Sequence, residues 1–80
     1  MSKVVLFSTS TCSWCHRAKR YFKEHKVPFK EINVERDQQA ARDIARKTGQ
    51  TGVPVIKIGS AWIVGFDRAR IDKELTRRTS

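Results

Sequence analysis

Eighty residues make one small domain, which residues 1–80 are read as filling, and 39% hydrophobic residues suffice for a modest core. Seventeen Lys and Arg against eight Asp and Glu give a formal net charge of +9, which speaks to partners rather than to fold. Two cysteines are too few for the disulfide scaffold of a small secreted domain. No apolar run approaches a membrane span, and the four apolar residues after Met1-Ser2-Lys3 are too short for a signal-peptide core, so a cytoplasmic protein without a membrane partner is expected.

The chain then divides cleanly. Val4-Val5-Leu6-Phe7 is a continuous apolar run with β-branched residues, expected as a strand buried on both faces. Ser8 to Thr11 is a polar loop. From Ser13 to about Lys26 the pattern is helical, with Trp14, Ala18, Tyr21, Phe22 and His25 recurring at steps of three and four, and Pro28 blocks continuation. Phe29 to Val34 alternates apolar and polar, the mark of a half-buried strand.

Asp37 is placed to N-cap a second helix with Ala40, Ala41, Ile44 and Ala45 facing inward, and Gly49 to end it. A turn over Gln50-Thr51-Gly52 leads to a third strand from Pro54 to Ile58. Gly59-Ser60 is a two-residue hairpin signal before a fourth strand, Ala61 to Val64. Gly65-Phe66 makes a corner, and Asp67 caps a last helix with Phe66, Ile71 and Leu75 inward and Arg77-Arg78 near its negative end. The order βαβαββα predicts an α/β fold. Its four-stranded mixed sheet has a parallel first pair, an antiparallel hairpin and three helices covering both faces.

The chemistry concentrates at Cys12-Ser13-Trp14-Cys15, between the first strand and the first helix. Two cysteines three positions apart come within disulfide reach at a helix start. Unpaired N–H groups and the positive end of the helix dipole there favour a thiolate. A thiolate at Cys12 attacks a disulfide and Cys15 resolves the mixed disulfide. Arg17, Lys19 and Arg20 add positive charge nearby. From residues alone, two other chemistries suit the pair. Cys12-x-x-Cys15-His16 matches a haem-attachment motif, with Met1 or His25 as second axial ligand. Zinc or an iron–sulfur cluster would need further thiolates, as from a second copy.

The basic residues spread over Arg17 to Lys30, Arg36 to Lys47 and Arg68 to Arg78 without a nucleic-acid motif among them. They read as solvated helix faces or, alternatively, as surfaces that attract acidic protein partners or a negatively charged thiol substrate, and no nucleic-acid partner is expected.

Three features in this order make the chain similar to glutaredoxins, minimal members of the thioredoxin-fold superfamily. They are Cys12-Ser13-Trp14-Cys15, Gly52-Val53-Pro54 and Gly65-Phe66-Asp67, and the similarity spans nearly the whole chain. The resemblance implies a thioredoxin fold and a monomeric disulfide oxidoreductase without a tightly bound cofactor. Its partners would be disulfide-bearing proteins, with glutathione as co-substrate. It makes Cys12 the nucleophile, Cys15 the resolving thiol and Pro54 a cis-proline opposite Cys12. It assigns substrate or glutathione contacts to Trp14, Gly52, Val53, Pro54, Gly65, Phe66 and Asp67, and no metal ligand. Three positions depart from the family pattern. Thr9 stands where a lysine is common, Gly52 replaces a threonine, and Val64-Gly65 replaces a Gly-Gly pair. Gly65-Phe66 is also similar to the corner of NrdH-type redoxins, which take electrons from thioredoxin reductase.

Overall fold

The protein's structure, a computed structural model, describes residues 4–49 and 52–79, with side chains as far as Thr76. Seven elements follow one another: β1 (Val4–Ser8), α1 (Ser13–Glu24), β2 (Lys30–Asn33), α2 (Gln38–Thr48), β3 (Val55–Ile58), β4 (Ala61–Val64) and α3 (Arg68–Thr79). They build the expected mixed sheet in the order β2-β1-β3-β4. β1 runs parallel to β2 and antiparallel to β3, and β3 pairs antiparallel with β4. β1 and β3 are therefore central, which is why β1 is buried along its whole length.

Successive strand residues face opposite sides of a sheet, so each central strand feeds two cores. Val4 and Leu6 of β1 join Ile56, Ile58 and Ile63 beneath α1 and α3, which contribute Ala18, Tyr21, Phe22 and Ile71. Val5 and Phe7 point the other way, with Val55, under Ala40 and Ile44 of α2. On that second face Trp62 stacks on Phe7 with centroids 5.6 Å apart.

The caps follow sequence chemistry. The Asp37 side chain accepts from the Ala40 N–H at 3.0 Å and opens α2, and Gly49 closes it at φ 73°. The Asp67 side chain accepts from the Arg70 N–H at 3.2 Å and opens α3. Gly59, at φ 61°, makes the β3–β4 turn. Gln50 and Thr51 of the expected turn, the Arg77 and Arg78 side chains, and Met1 lie outside the described residues.

Three expectations need correction. Helix α1 stops at Glu24, not near Lys26, and Pro28 is not what ends it. Lys26 adopts φ 56° and the Val27 N–H bonds back to the Phe22 carbonyl at 2.8 Å. This reversal covers the last carbonyls before the proline is reached. The buried stripe of α1 is Cys15, Ala18, Tyr21 and Phe22, whereas Trp14 and His25 are exposed. β2 and β3 are each shorter than expected, beginning at Lys30 and Val55 because only there does pairing with β1 begin.

Candidate active site

The sheet register gathers three loops at one end. Phe7 pairs with Val55, so the end of β1 lies beside the entry to β3. The Gly65 N–H donates to the Pro54 carbonyl at 2.8 Å, which fastens the end of β4 to that same entry. The 9–12 loop, Gly52-Val53-Pro54 and Gly65-Phe66-Asp67 thus share the sheet's carboxyl edge with respect to β1, where α/β sheets commonly carry their sites.

Cys12 is itself the N-cap of α1. Its backbone is extended (φ −87°, ψ 109°) and its Sγ accepts from the Cys15 N–H at 3.1 Å. That is the position and bond of a serine or aspartate cap, with sulfur as the acceptor. The Cys12 carbonyl accepts from the His16 N–H at 3.2 Å, starting the helical ladder. No acidic residue lies in the first turn of α1 itself. Cys12 and Cys15 are joined as a disulfide, with Cα atoms 5.2 Å apart. The two sulfurs differ in access: Cys12 is half-buried, whereas Cys15 is 0% exposed.

Trp14 projects from between the cysteines at 54% exposure, with the Arg17 guanidinium 4.7 Å over its ring. The Val53–Pro54 bond is cis, as the resemblance implied; Pro54 is buried, Val53 half-buried and Gly52 exposed. Gly65 adopts φ 80°, and Phe66 packs on the Tyr21 ring at 5.6 Å while Asp67 stays exposed. Trp62 lies on the opposite sheet face, away from this cluster. Among the described residues no three His, Cys, Asp or Glu side chains converge to hold a metal ion.

Sequence reasoning missed the two carboxylates that anchor the end of β1 and the loop from it to Cys12, and Ser8, expected in that loop, is the last residue of β1. The buried Ser8 hydroxyl donates to Glu31 Oε2 at 2.6 Å, and Lys19 pairs with the same oxygen at 3.2 Å. Chiefly through the Ser8 bond, the Glu31 carboxyl is held below the usual range. Ser10 donates both its N–H and its hydroxyl to Glu35 Oε1, each at 2.9 Å, and these two bonds lower the Glu35 carboxyl as well. Asn33 gave the one local clue, since its side chain accepts from the Glu35 N–H at 2.8 Å and turns the chain back.

Comparison with known proteins agrees with this geometry. The family model for glutaredoxin matches residues 4–63. The chain is 40% identical to a glutaredoxin-like 8.6 kDa protein of the rubredoxin operon of Clostridium pasteurianum, over 88% of this chain and 93% of that one. It is 37% identical to a glutaredoxin of Pseudomonas aeruginosa, over 84% of this chain and 80% of that one. Among solved structures, buckwheat glutaredoxin in complex with glutathione superposes with a TM-score of 0.78 at 26% identity, covering 95% of this chain and 74% of that one. The N-capping sulfur, its buried partner, the cis-proline and these matches together establish that the chain belongs to the glutaredoxin family of thiol–disulfide oxidoreductases.

Proposed function

We propose that the protein reduces protein disulfides or glutathione mixed disulfides by dithiol exchange, with Cys12 as nucleophile and Cys15 as resolving thiol. The observation that carries this is the asymmetry of the pair: Cys12 is half-buried at the helix cap, while Cys15 is fully buried one turn inside. In the reduced protein the Cys12 thiolate attacks one sulfur of the substrate disulfide. A Cys12–substrate S–S bond forms, the substrate S–S bond breaks, and the departing sulfur takes a proton. The Cys15 sulfur, after losing its proton, then attacks Cys12 and releases the second substrate thiol. Two electrons have passed to the substrate, leaving the Cys12–Cys15 disulfide described above.

Gly52, Val53 and Pro54 offer backbone to an extended substrate, with Trp14, Gly65, Phe66 and Asp67 around it. A glutathione complex of a relative supports glutathione as co-substrate. Thr9, Gly52 and Val64 differ from the residues that glutathione-binding relatives commonly carry, which favours thioredoxin reductase as a second electron source to be tested. Turnover is compared with glutathione plus its reductase and with thioredoxin reductase, in wild type and in Cys12→Ser and Cys15→Ser. Cys12→Ser is expected to be inactive with every donor, and Cys15→Ser to accumulate a mixed disulfide. Full turnover by Cys12→Ser would refute the assignment.

A further inference from the structure

A groove of about 330 Å³ lies between α1 and the start of α3, lined by Arg17, Arg20, Tyr21, His25, Arg68 and, from the Gly65-Phe66-Asp67 corner, Phe66. Positions 14, 17, 21 and 25 fall at steps of three and four, so one stripe of α1 leads from between the cysteines to the far end of the helix. At 1.5 Å per residue this stripe is about 16 Å long. That matches about five residues of extended chain.

The groove wall is positive, with Glu24 as its single carboxylate. Among the described residues, the carboxylate ion pairs are Lys19–Glu31 and Arg46–Asp43, and none involves Arg17, Arg20 or Arg68. Two of these guanidiniums are instead set over rings, Arg17 at 4.7 Å over Trp14 and Arg68 at 5.2 Å over Tyr21. Stacking occupies the face of a guanidinium and leaves its N–H edge for a carboxylate. It also restrains two long side chains that exposed arginines otherwise leave disordered. Tyr21 is only 7% exposed beneath Arg68, so it presents no open ring for a nucleic-acid base.

We propose that this groove docks an acidic, extended segment of the disulfide-bearing protein substrate, alongside the disulfide that Cys12 attacks. The proposal rests on the dithiol reading above and adds the chemistry of the partner. Arg17 and Arg20 receive the residues near the reacting cysteine, and Arg68 grips them from α3.

The test uses two disulfide-linked peptides, one with a five-residue Asp/Glu arm and one with the matching Asn/Gln arm. The pre-reduced protein reduces them in a single turnover, which removes the electron donor from the assay. The acidic-armed peptide is expected to react roughly tenfold faster at low salt, with the preference shrinking as salt rises. R17Q/R20Q/R68Q is expected to lose the preference, read within that variant as the ratio of acidic-armed to neutral-armed rates so that any change in basal reactivity cancels. R36Q/R42Q/R46Q, which removes the same charge mainly from α2, is expected to keep most of it. Equal rates for the two peptides would overturn the proposal, as would equal loss in both triple variants. So would stronger inhibition by a short single-stranded DNA than by the acidic arm alone. Fluorescence anisotropy of a labelled acidic pentapeptide without any disulfide tests the groove separately. If neither peptide is reduced, the dithiol reading fails, and arginine-dependent binding of this probe still decides the groove.

Discussion

The Glu31→Gln substitution removes one charge and almost no volume from the anchor of Ser8, the residue of β1 from which the loop to Cys12 departs. In the wild type, Glu31 accepts from the buried Ser8 hydroxyl at 2.6 Å and pairs with Lys19 at 3.2 Å. A hydrogen bond to a charged acceptor is worth about 1.5–3 kcal/mol and a neutral one about 0.5–1.5, so losing the charge costs about 1 kcal/mol at the Ser8 bond. The Glu31 side chain is 38% exposed, and solvent screening holds the further loss at the Lys19 pair to a few tenths, for a total of about 1–1.5 kcal/mol. For a domain of this size that lowers Tm by roughly 5–10 °C at pH 7.

The pH dependence has a definite sign. The folded-state carboxyl is lowered, so the wild type's advantage is fully present above the unfolded value of about 4.3 and disappears as pH falls through the lower folded value. Thermal melts of oxidised wild type and Glu31→Gln between pH 3 and pH 7 should converge towards the acid end. A gap that stays constant across this range, or no gap at pH 7, would refute the assignment of the Ser8–Glu31 bond as the charged anchor at the end of β1.

Three further expectations follow from single contacts. Asp37→Ala deprives the Ala40 N–H of its cap and should cost about 1 kcal/mol in urea unfolding without changing turnover, since α2 lies across the sheet from α1. Ile44→Ala empties a fully buried site beneath α2 and should cost about 3 kcal/mol by the same measurement. Gly49→Ala places a Cβ in open space but at φ 73°, so its cost of about 1 kcal/mol is backbone strain, and Gly49→Asn should recover part of it.

Local chemistry made much of the fold legible. The apolar run of β1, the Gly59-Ser60 turn, the caps at Asp37, Gly49 and Asp67, and the inward Ile71 and Leu75 all stand where their residue types put them. The end of α1 was not legible, because a lysine at φ 56° gives no glycine signal and Pro28 supplied a nearer explanation. The buried face of α1 was only partly legible, because Trp14 and His25 share the helical spacing with the buried stripe and only packing against Phe66 and the sheet decides which residues face in. At the site, the cysteine pair and the cis-proline were anticipated through motif and resemblance. The Ser8–Glu31 and Ser10–Glu35 anchors join residues 23 and 25 positions apart, and no short window contains such a pair. The groove's arginines looked like part of a general basic surface until α3 was placed beside α1.

The central proposal is that the helix start, where the Cys15 N–H already bonds the Cys12 sulfur, favours the thiolate of reduced Cys12 and so makes it the attacking sulfur. Alkylation of the reduced protein by iodoacetamide, followed from pH 5 to pH 9 with mass-spectrometric assignment of the modified cysteine, measures this directly. The expected result is selective modification of Cys12 at a rate already near its plateau at pH 7. A Cys12 rate still climbing about tenfold per pH unit through pH 7, as for an ordinary thiol near 8.5, would contradict it.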